Sequence, residues 1–278
     1  MLFIVNPISG KDRKKRIIAH LEKKGLSVVC TEYAGHAEKI AREASQKVIV
    51  AVGGDGTVNE VARGILGTDK VLGIIPCGSG DGLALHLGLS RYYKRALNTI
   101  LAGKTTLIDS AEINGRAFFS VCGVGFDAVV SERFANSGKR GLLNYIEQGL
   151  KTWKEYTPEK YLIDIDGKEW ENEAALITIG NSSQWGNNAR IAPHANISDG
   201  ILDITIVDML GAVDLAPLGY LLMTGRLDHS VKVQCHQGQH ITIRRNASGP
   251  AHADGDWFIA GTTLDIRIHP KSLRVIIP

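Results

Sequence analysis

The chain has 278 residues, enough for one large domain or two ordinary ones, each with ample core. Hydrophobic residues make up 44% and charged residues 22%, the composition of a folded globular protein. A net charge of +3 argues against a dedicated nucleic-acid binder and leaves only mild attraction to anionic membrane lipids.

The one dense basic run, Lys11-Asp12-Arg13-Lys14-Lys15-Arg16, reads either as a solvated helix face or as a phosphate-facing or membrane-facing patch. Cys30, Cys77, Cys122 and Cys235 are scattered without a C-x-x-C pair, which fits reduced thiols and a cytoplasmic setting. Leu2 to Val5 already reads as a strand, so no signal peptide is expected. The longest apolar stretch, around Leu215 to Met223, is too short to span a bilayer. Membrane contact is therefore expected to be peripheral.

In chain order, Leu2 to Val5 stops at the turn-rich Asn6-Pro7-Ile8-Ser9-Gly10 and leads into a lysine-rich amphipathic helix. A strand from Ser27 to Thr31 precedes a helix from about His36 to Ser45. Val48 to Val52 runs into Gly53-Gly54-Asp55-Gly56-Thr57, and after another helix Val71 to Pro76 runs into a second glycine-rich turn. Strands joined by helical crossovers predict a doubly wound, Rossmann-like parallel sheet with its ligand site at the carboxyl ends of the strands.

Near residue 110 the pattern changes. Strand candidates then dominate: Phe118 to Cys122, Tyr161 to Asp166, Ala174 to Ile179, Ile201 to Val207, Val231 to Cys235, Ile241 to Arg245, Thr263 to Ile268 and Leu273 to Ile277. Many alternate apolar and polar residues, as half-buried antiparallel strands do. Two helices, Leu142 to Tyr156 and Val213 to Met223, interrupt them. The expectation is an α/β N-terminal domain over 1–112 and a mainly β, sandwich-like domain over 113–278, with the final strand free to return to the first.

Gly53 to Glu60 follows a β-branched strand and opens a helix. Glycines allow positive φ and close approach of the backbone to a polyphosphate, and amides at the helix start donate to phosphate oxygens. Three glycines around an aspartate exceed what an ordinary tight turn needs. GGDGT at residues 53–57 resembles the loop shared by diacylglycerol kinase catalytic domains, sphingosine kinases and NAD kinases. Asn6-Pro7-x-Ser9-Gly10 resembles the NPxSG opening of the lipid kinases, and Thr31 with Gly35-His36-Ala37 resembles their T-x-x-x-G-H-A segment. Residues 76–84 resemble the G-S-G-N-x-L-A loop of sphingosine kinases and, less closely, the G-T-x-N-D of bacterial diacylglycerol kinases. Gly123-Val124-Gly125-Phe126-Asp127-Ala128 and Asp254-Gly255-Asp256 complete the set.

This resemblance to the diacylglycerol kinase catalytic-domain family runs from residue 3 to about 268. It implies ATP contacts from Asn6, Ser9, Gly10, Thr31, Gly54, Asp55, Gly56, Thr57, Asn59, Glu60 and Ser79. It further implies phosphoryl transfer to a lipid hydroxyl, with Mg²⁺ on the phosphates and a carboxylate accepting the alcohol proton. The candidates for that chemistry are Asp55, Asp127, Asp254 and Asp256. The base is expected at Asp254 or Asp256, Mg²⁺ organisation at Asp55 with Asp81, and a supporting or head-group role at Asp127. The chain departs from the family pattern at Asp81, where asparagine is usual, and at Asp256, where glutamate is usual. Asp81 adds a charge beside the phosphates that a metal ion would offset.

A second metal reading, carried by the resemblance alone, is a structural Mg²⁺ held by the Asp199 carboxylate with the carbonyls of Asn196 and Ile201. The competing reading is a plain S-D-G turn. The expected partner is a lipid substrate at a membrane surface, without nucleic acid, and with oligomeric state open, a homodimer included. The lipid itself stays open between diacylglycerol and a sphingoid base. An NAD kinase-like enzyme and a catalytically silent lipid-binding protein are the competing readings of function.

Overall fold

The structure is a computed structural model that describes residues 1–7, 11–138 and 142–278. The chain divides into two compact units, residues 1–109 with 270–278, and residues 110–269.

In the first unit, β1 (Leu2–Val5), α1 (Lys11–Lys23), β2 (Ser27–Cys30), α2 (His36–Glu43), β3 (Val48–Gly53), α3 (Asp55–Ile65), β4 (Val71–Pro76), α4 (Gly82–His86) and α5 (Tyr93–Ala102) follow in order. The strands lie β2-β1-β3-β4 and pair in parallel, so their carboxyl ends share one edge. β1, β3 and β4 are almost wholly buried, as an unbroken apolar run requires when helices cover both faces. Phe3, Val5, Ile17, Leu21, Val50, Val52, Ile75, Leu97 and Ile100 form a core beneath α1 and α5.

The second unit begins within β5 (Thr105–Ile113). It continues with β6 (Arg116–Phe118), β7 (Val121–Gly125), α6 (Phe126–Asn136), α7 (Leu142–Glu155), β8 (Glu159–Ile165), β9 (Lys168–Ala174), β10 (Leu176–Gly180), β11 (Leu202–Val207), α8 (Leu215–Thr224), β12 (Val233–Gly238), β13 (His240–Arg245), β14 (Gly249–Ala253), β15 (Asp256–Ala260) and β16 (Thr263–Ile276). One sheet, β12-β11-β10-β7-β14-β15, is antiparallel throughout. Strands β16, β13, β8 and β9 form another antiparallel array. Side chains from both, among them Val124, Ile177, Ile204, Tyr161, Ile163, Ile243 and Ile266, share one core. The architecture is an α/β unit with a parallel sheet followed by an antiparallel, sandwich-like unit.

The two expected strands 263–268 and 273–277 are a single 14-residue strand, β16. Its first part pairs with β13, and Arg274 and Val275 pair in parallel with β4. Lys271, at φ 51°, carries the strand through a local distortion that reads as a break in sequence. Helix α6, unforeseen, starts inside the GVGFDA motif, where Gly125 at φ 96° turns strand directly into helix. Strands β9, β14 and β15 also went unread. β9 carries four charged residues, Lys168, Glu169, Glu171 and Glu173, and β14 is short and begins Gly-Pro. Both compositions obscure a strand signal.

Candidate functional site

Within the first unit the two glycine loops pack backbone to backbone. A Cβ on Gly54 would lie 2.9 Å from Gly78 Cα, and one on Gly78 would lie 2.5 Å from Gly54 Cα, so neither position admits a side chain. The Cys77 amide donates to Gly53 O at 2.7 Å and extends the β3–β4 ladder into the loops. Thr57 is buried directly under Gly53, where an added Cβ would collide with its hydroxyl. Gly56, by contrast, is exposed with open space above it. Helix α3 follows Gly54 as its N-cap, without a side-chain cap, so the positive end of its dipole is available to an anion.

Asp55 binds backbone at the start of α4. Its Oδ2 accepts from the Asp81 amide at 2.9 Å and its Oδ1 from the Gly82 amide at 2.7 Å, so the carboxylate clamps the start of α4 to α3. Burial pushes its pKa above the ordinary carboxylate value, and the nearby Asp81 charge adds to this, against the opposing pull of the two amides.

Asp81 lies beside Asp55 with partners of its own. It is 3% exposed, sits at φ 53°, and its Oδ1 accepts from the Gly78 amide at 2.8 Å. Its Oδ2 faces Arg91 Nε at 3.3 Å. Burial raises its pKa, while the Gly78 amide, Arg91, Arg13 and Lys14 pull the other way. The chain itself supplies the counter-charge that the sequence reading assigned to a metal. Arg91 further donates to the carbonyls of Ser79 and Gly80, and Arg13 donates to those of Pro76 and Arg91. This second glycine loop is held from both sides.

Lys14 and Arg91 were missed as site residues. Lys14 is 1% exposed and its Nζ donates to Asn6 O at 2.5 Å. Burial lowers its pKa, opposed by Cys77 and Asp81 and reinforced by Arg13. Its signal was legible, since Lys14, Ile17 and Leu21 share one helical face and the last two are core. Arg91 follows no motif and only the fold brings it to the loop.

Of the other expected nucleotide contacts, Asn6 and Thr31 lie just past the carboxyl ends of β1 and β2, and Ser79 lies exposed on the second glycine loop. Ser9 and Gly10 lie outside the described residues. Asn59 is buried, and its Nδ2 finds no partner among the described residues. Glu60 serves elsewhere: its carboxylate accepts from the amides of Gly35 at 2.9 Å and Ala37 at 3.0 Å and caps α2.

In the second unit, Asp254 and Gly255 form the two central residues of the β14–β15 hairpin, both at positive φ (51° and 84°), as a type I′ turn requires. The Asp254 carboxylate accepts from three backbone amides, those of Phe119, Ser120 and Val121, at 2.8 to 2.9 Å. It ties the hairpin to the entry of β7. Asp256 is exposed at the start of β15. Asp127 is 3% exposed; it accepts from Ala128 N and from the Thr178 hydroxyl at 2.8 and 2.9 Å and lies 3.1 Å from His252 Nε2. Asn196, Asp199 and Ile201 share a loop that closes by turn hydrogen bonds. The Ile201 amide donates to Asp199 Oδ1 at 3.1 Å, and the Asp199 amide reaches Asn196 O at 3.4 Å.

Residues 1–113 match the model of the diacylglycerol kinase catalytic domain, and residues 120–277, more than half of the chain, match the YegS C-terminal NAD kinase beta sandwich-like domain. The chain is 25% identical to "Diacylglycerol kinase" of Bacillus subtilis (strain 168), over 99% of this chain and 95% of that protein. It is 29% identical to "Probable lipid kinase YegS" of Salmonella newport (strain SL254), over 100% and 95%. A solved structure from Bacillus anthracis str. Sterne superimposes with TM-score 0.82 at 25% identity, covering 100% of this chain and 96% of that one. With both domains present in this order along its length, the chain belongs to the diacylglycerol kinase catalytic-domain family of lipid kinases.

Proposed function

We propose that the chain transfers the γ-phosphoryl group of MgATP to the hydroxyl of diacylglycerol or a related neutral lipid alcohol. The observation that carries this reading is the pair of interlocked glycine loops, with open space at Gly56 in the uncapped first turn of α3. Amides there suit the phosphate chain, and Lys14, Arg13 and Arg91 add positive charge beside it. Mg²⁺ enters as part of the MgATP substrate, on the phosphate oxygens.

In the transfer, the alcohol oxygen forms a new bond to the γ-phosphorus, the bond from that phosphorus to the β–γ bridging oxygen breaks, and ADP leaves with the electron pair. The alcohol proton goes to a carboxylate of the turn 254–256, a reading supported by the likeness of Asp254-Gly255-Asp256 to the family's acidic motif. Asp254 spends its oxygens on three amides, so Asp256, exposed at the exit of the turn, is the acceptor and Asp254 its anchor.

A sphingoid base would bring an ammonium group that calls for an open carboxylate. Asp127, the residue suited to it, is buried and satisfied by Ala128, Thr178 and His252, which favours a lipid without an amine. The relative from Bacillus subtilis carries such a substrate, diacylglycerol, in its name. No helix among the described residues is long and apolar enough to cross a membrane, and this reading has the chain working in the cytoplasm, bound peripherally to its lipid.

Labelled ATP and a lipid panel test the reading. Diacylglycerol should take up label and sphingosine should not. Label on NAD, or lipid binding without any transfer, would overturn it.

A further inference from the structure

Helix α8 is apolar on both sides. Leu218, Leu221 and Leu222 pack inward on Val121, Ile191, Ala192, Ala195 and Leu227. The opposite stripe, Val213, Ala216, Pro217, Tyr220 and Met223, keeps helical spacing and lies open, with Val213 84%, Tyr220 65% and Met223 53% exposed. No residue of α8 is charged. Helix α7 leaves Ile146 and Leu150 exposed one turn apart, and Trp153, on the same face, donates from its indole to Leu210 O at 3.2 Å. That bond ties the end of α7 to the segment entering α8. Five of the twelve large hydrophobics exposed among the described residues therefore belong to α7, α8 and the approach to α8, a density that scattered surface residues do not produce.

Two exposed arginines flank the carboxyl end of α8 beside this face. The Arg190 amide donates to Leu222 O at 3.0 Å, and its side chain lies against Gly225, the residue that ends the helix. Arg226 follows at once. Both arginines are exposed, and neither has a carboxylate partner among the described residues. Lys154, in the last turn of α7, is likewise exposed. The acids of these elements are engaged: Asp214 accepts from the Gly211 amide, Asp228 pairs with His194, Glu147 with Lys151 and Glu155 with Arg133. An open apolar stripe edged by exposed arginines matches the boundary of an anionic bilayer, where acyl chains receive the stripe and phosphates the guanidinium groups.

We propose that the α8 face, extended by Ile146 and Leu150 of α7, is the surface on which this chain docks to anionic membranes. The proposal rests on the lipid-kinase reading for its biological sense, and its test is independent of turnover. Sedimentation with phosphatidylcholine vesicles, and with phosphatidylcholine–phosphatidylglycerol vesicles, compares the full chain with Y220S/M223S and R190Q/R226Q. The apolar pair should weaken binding to both vesicle types by about tenfold or more. The arginine pair should weaken binding to anionic vesicles by about fivefold per arginine and leave neutral vesicles unaffected. Both variants should keep the wild-type melting temperature and wild-type turnover of diacylglycerol dispersed in detergent.

Variants that bind vesicles as tightly as the wild type overturn the docking proposal, whatever the turnover. If instead Y220S/M223S turns a dimer into a monomer in light scattering while vesicle binding is unchanged, the face joins two copies and the proposal falls. A wild type that binds vesicles through these residues but phosphorylates no lipid would leave docking standing and remove the kinase reading.

Discussion

Arg91 Nε stands 3.3 Å from Asp81 Oδ2, so the carboxylate that departs from the family pattern meets a cation from its own chain. Asp81 is 3% exposed, whereas the Arg91 side chain is 42% exposed. Arg91→Gln should therefore cost a discounted amount, about 1–2 kcal/mol, by leaving a buried charge short of its partner. Asp81→Asn added to it should restore much of that loss, because the amide oxygen still accepts from Gly78. Denaturant melts of both single variants and the double variant supply the coupling energy. Strict additivity would mean that the pair is incidental.

Lys14 gives the first unit an alkaline signature. Its folded pKa lies below the unfolded value of 10.5, mainly through burial. Between the two values the unfolded chain holds a proton that the folded chain has released, so this residue's contribution to stability rises with pH in that window. Lys14→Met removes the titration. The difference in unfolding free energy between wild type and variant should therefore move in favour of wild type as pH climbs towards 10.5. A difference that stays flat with pH would show that the Lys14 amine keeps its ordinary affinity for protons.

The hairpin carboxylates should separate by readout. Asp254→Asn turns an acceptor of three amides into one that offers a single oxygen, and should lower stability by about 1–3 kcal/mol. Asp256→Asn should reduce kcat by roughly 10²- to 10⁴-fold, far more than any accompanying shift in melting temperature accounts for. Calorimetry alongside kinetics tells them apart. If Asp254→Asn kept full stability but lost turnover, the proton acceptor would be Asp254.

Gly123 makes room for a buried Asp–His pair. A Cβ there would lie 2.7 Å from Asp127 Oδ2, 2.9 Å from Ile177 O and 3.0 Å from His252 Nε2, the two side chains being buried and hydrogen-bonded. Gly123→Ala should cost about 1–3 kcal/mol by overpacking. His252→Ala in the same background should recover part of the loss, since it removes one of the three obstacles. Thermal melts of the two variants check this, and a Gly123→Ala protein as stable as wild type would mean that the pair shifts freely.

The order of elements in the first unit and the two glycine loops were legible from sequence because both rest on local rules. Buried parallel strands read as unbroken apolar runs, and a loop that brings backbone against backbone or ligand must be glycine. The roles of the carboxylates were not legible, because motif spacing gives a residue's place on the chain and not the direction of its side chain. Glu60 belongs to the phosphate-loop segment yet turns to cap α2, Asp55 spends itself on α4, and Asp254 on the entry to β7. Asp81 looked like an unmet charge until Arg91, ten residues on and outside any motif, came within reach. Sequence determined which residues could carry charge and where the backbone had to bend. Tertiary structure decided which charges cancel, because a Coulomb interaction depends on distance and burial, and the fold alone sets both.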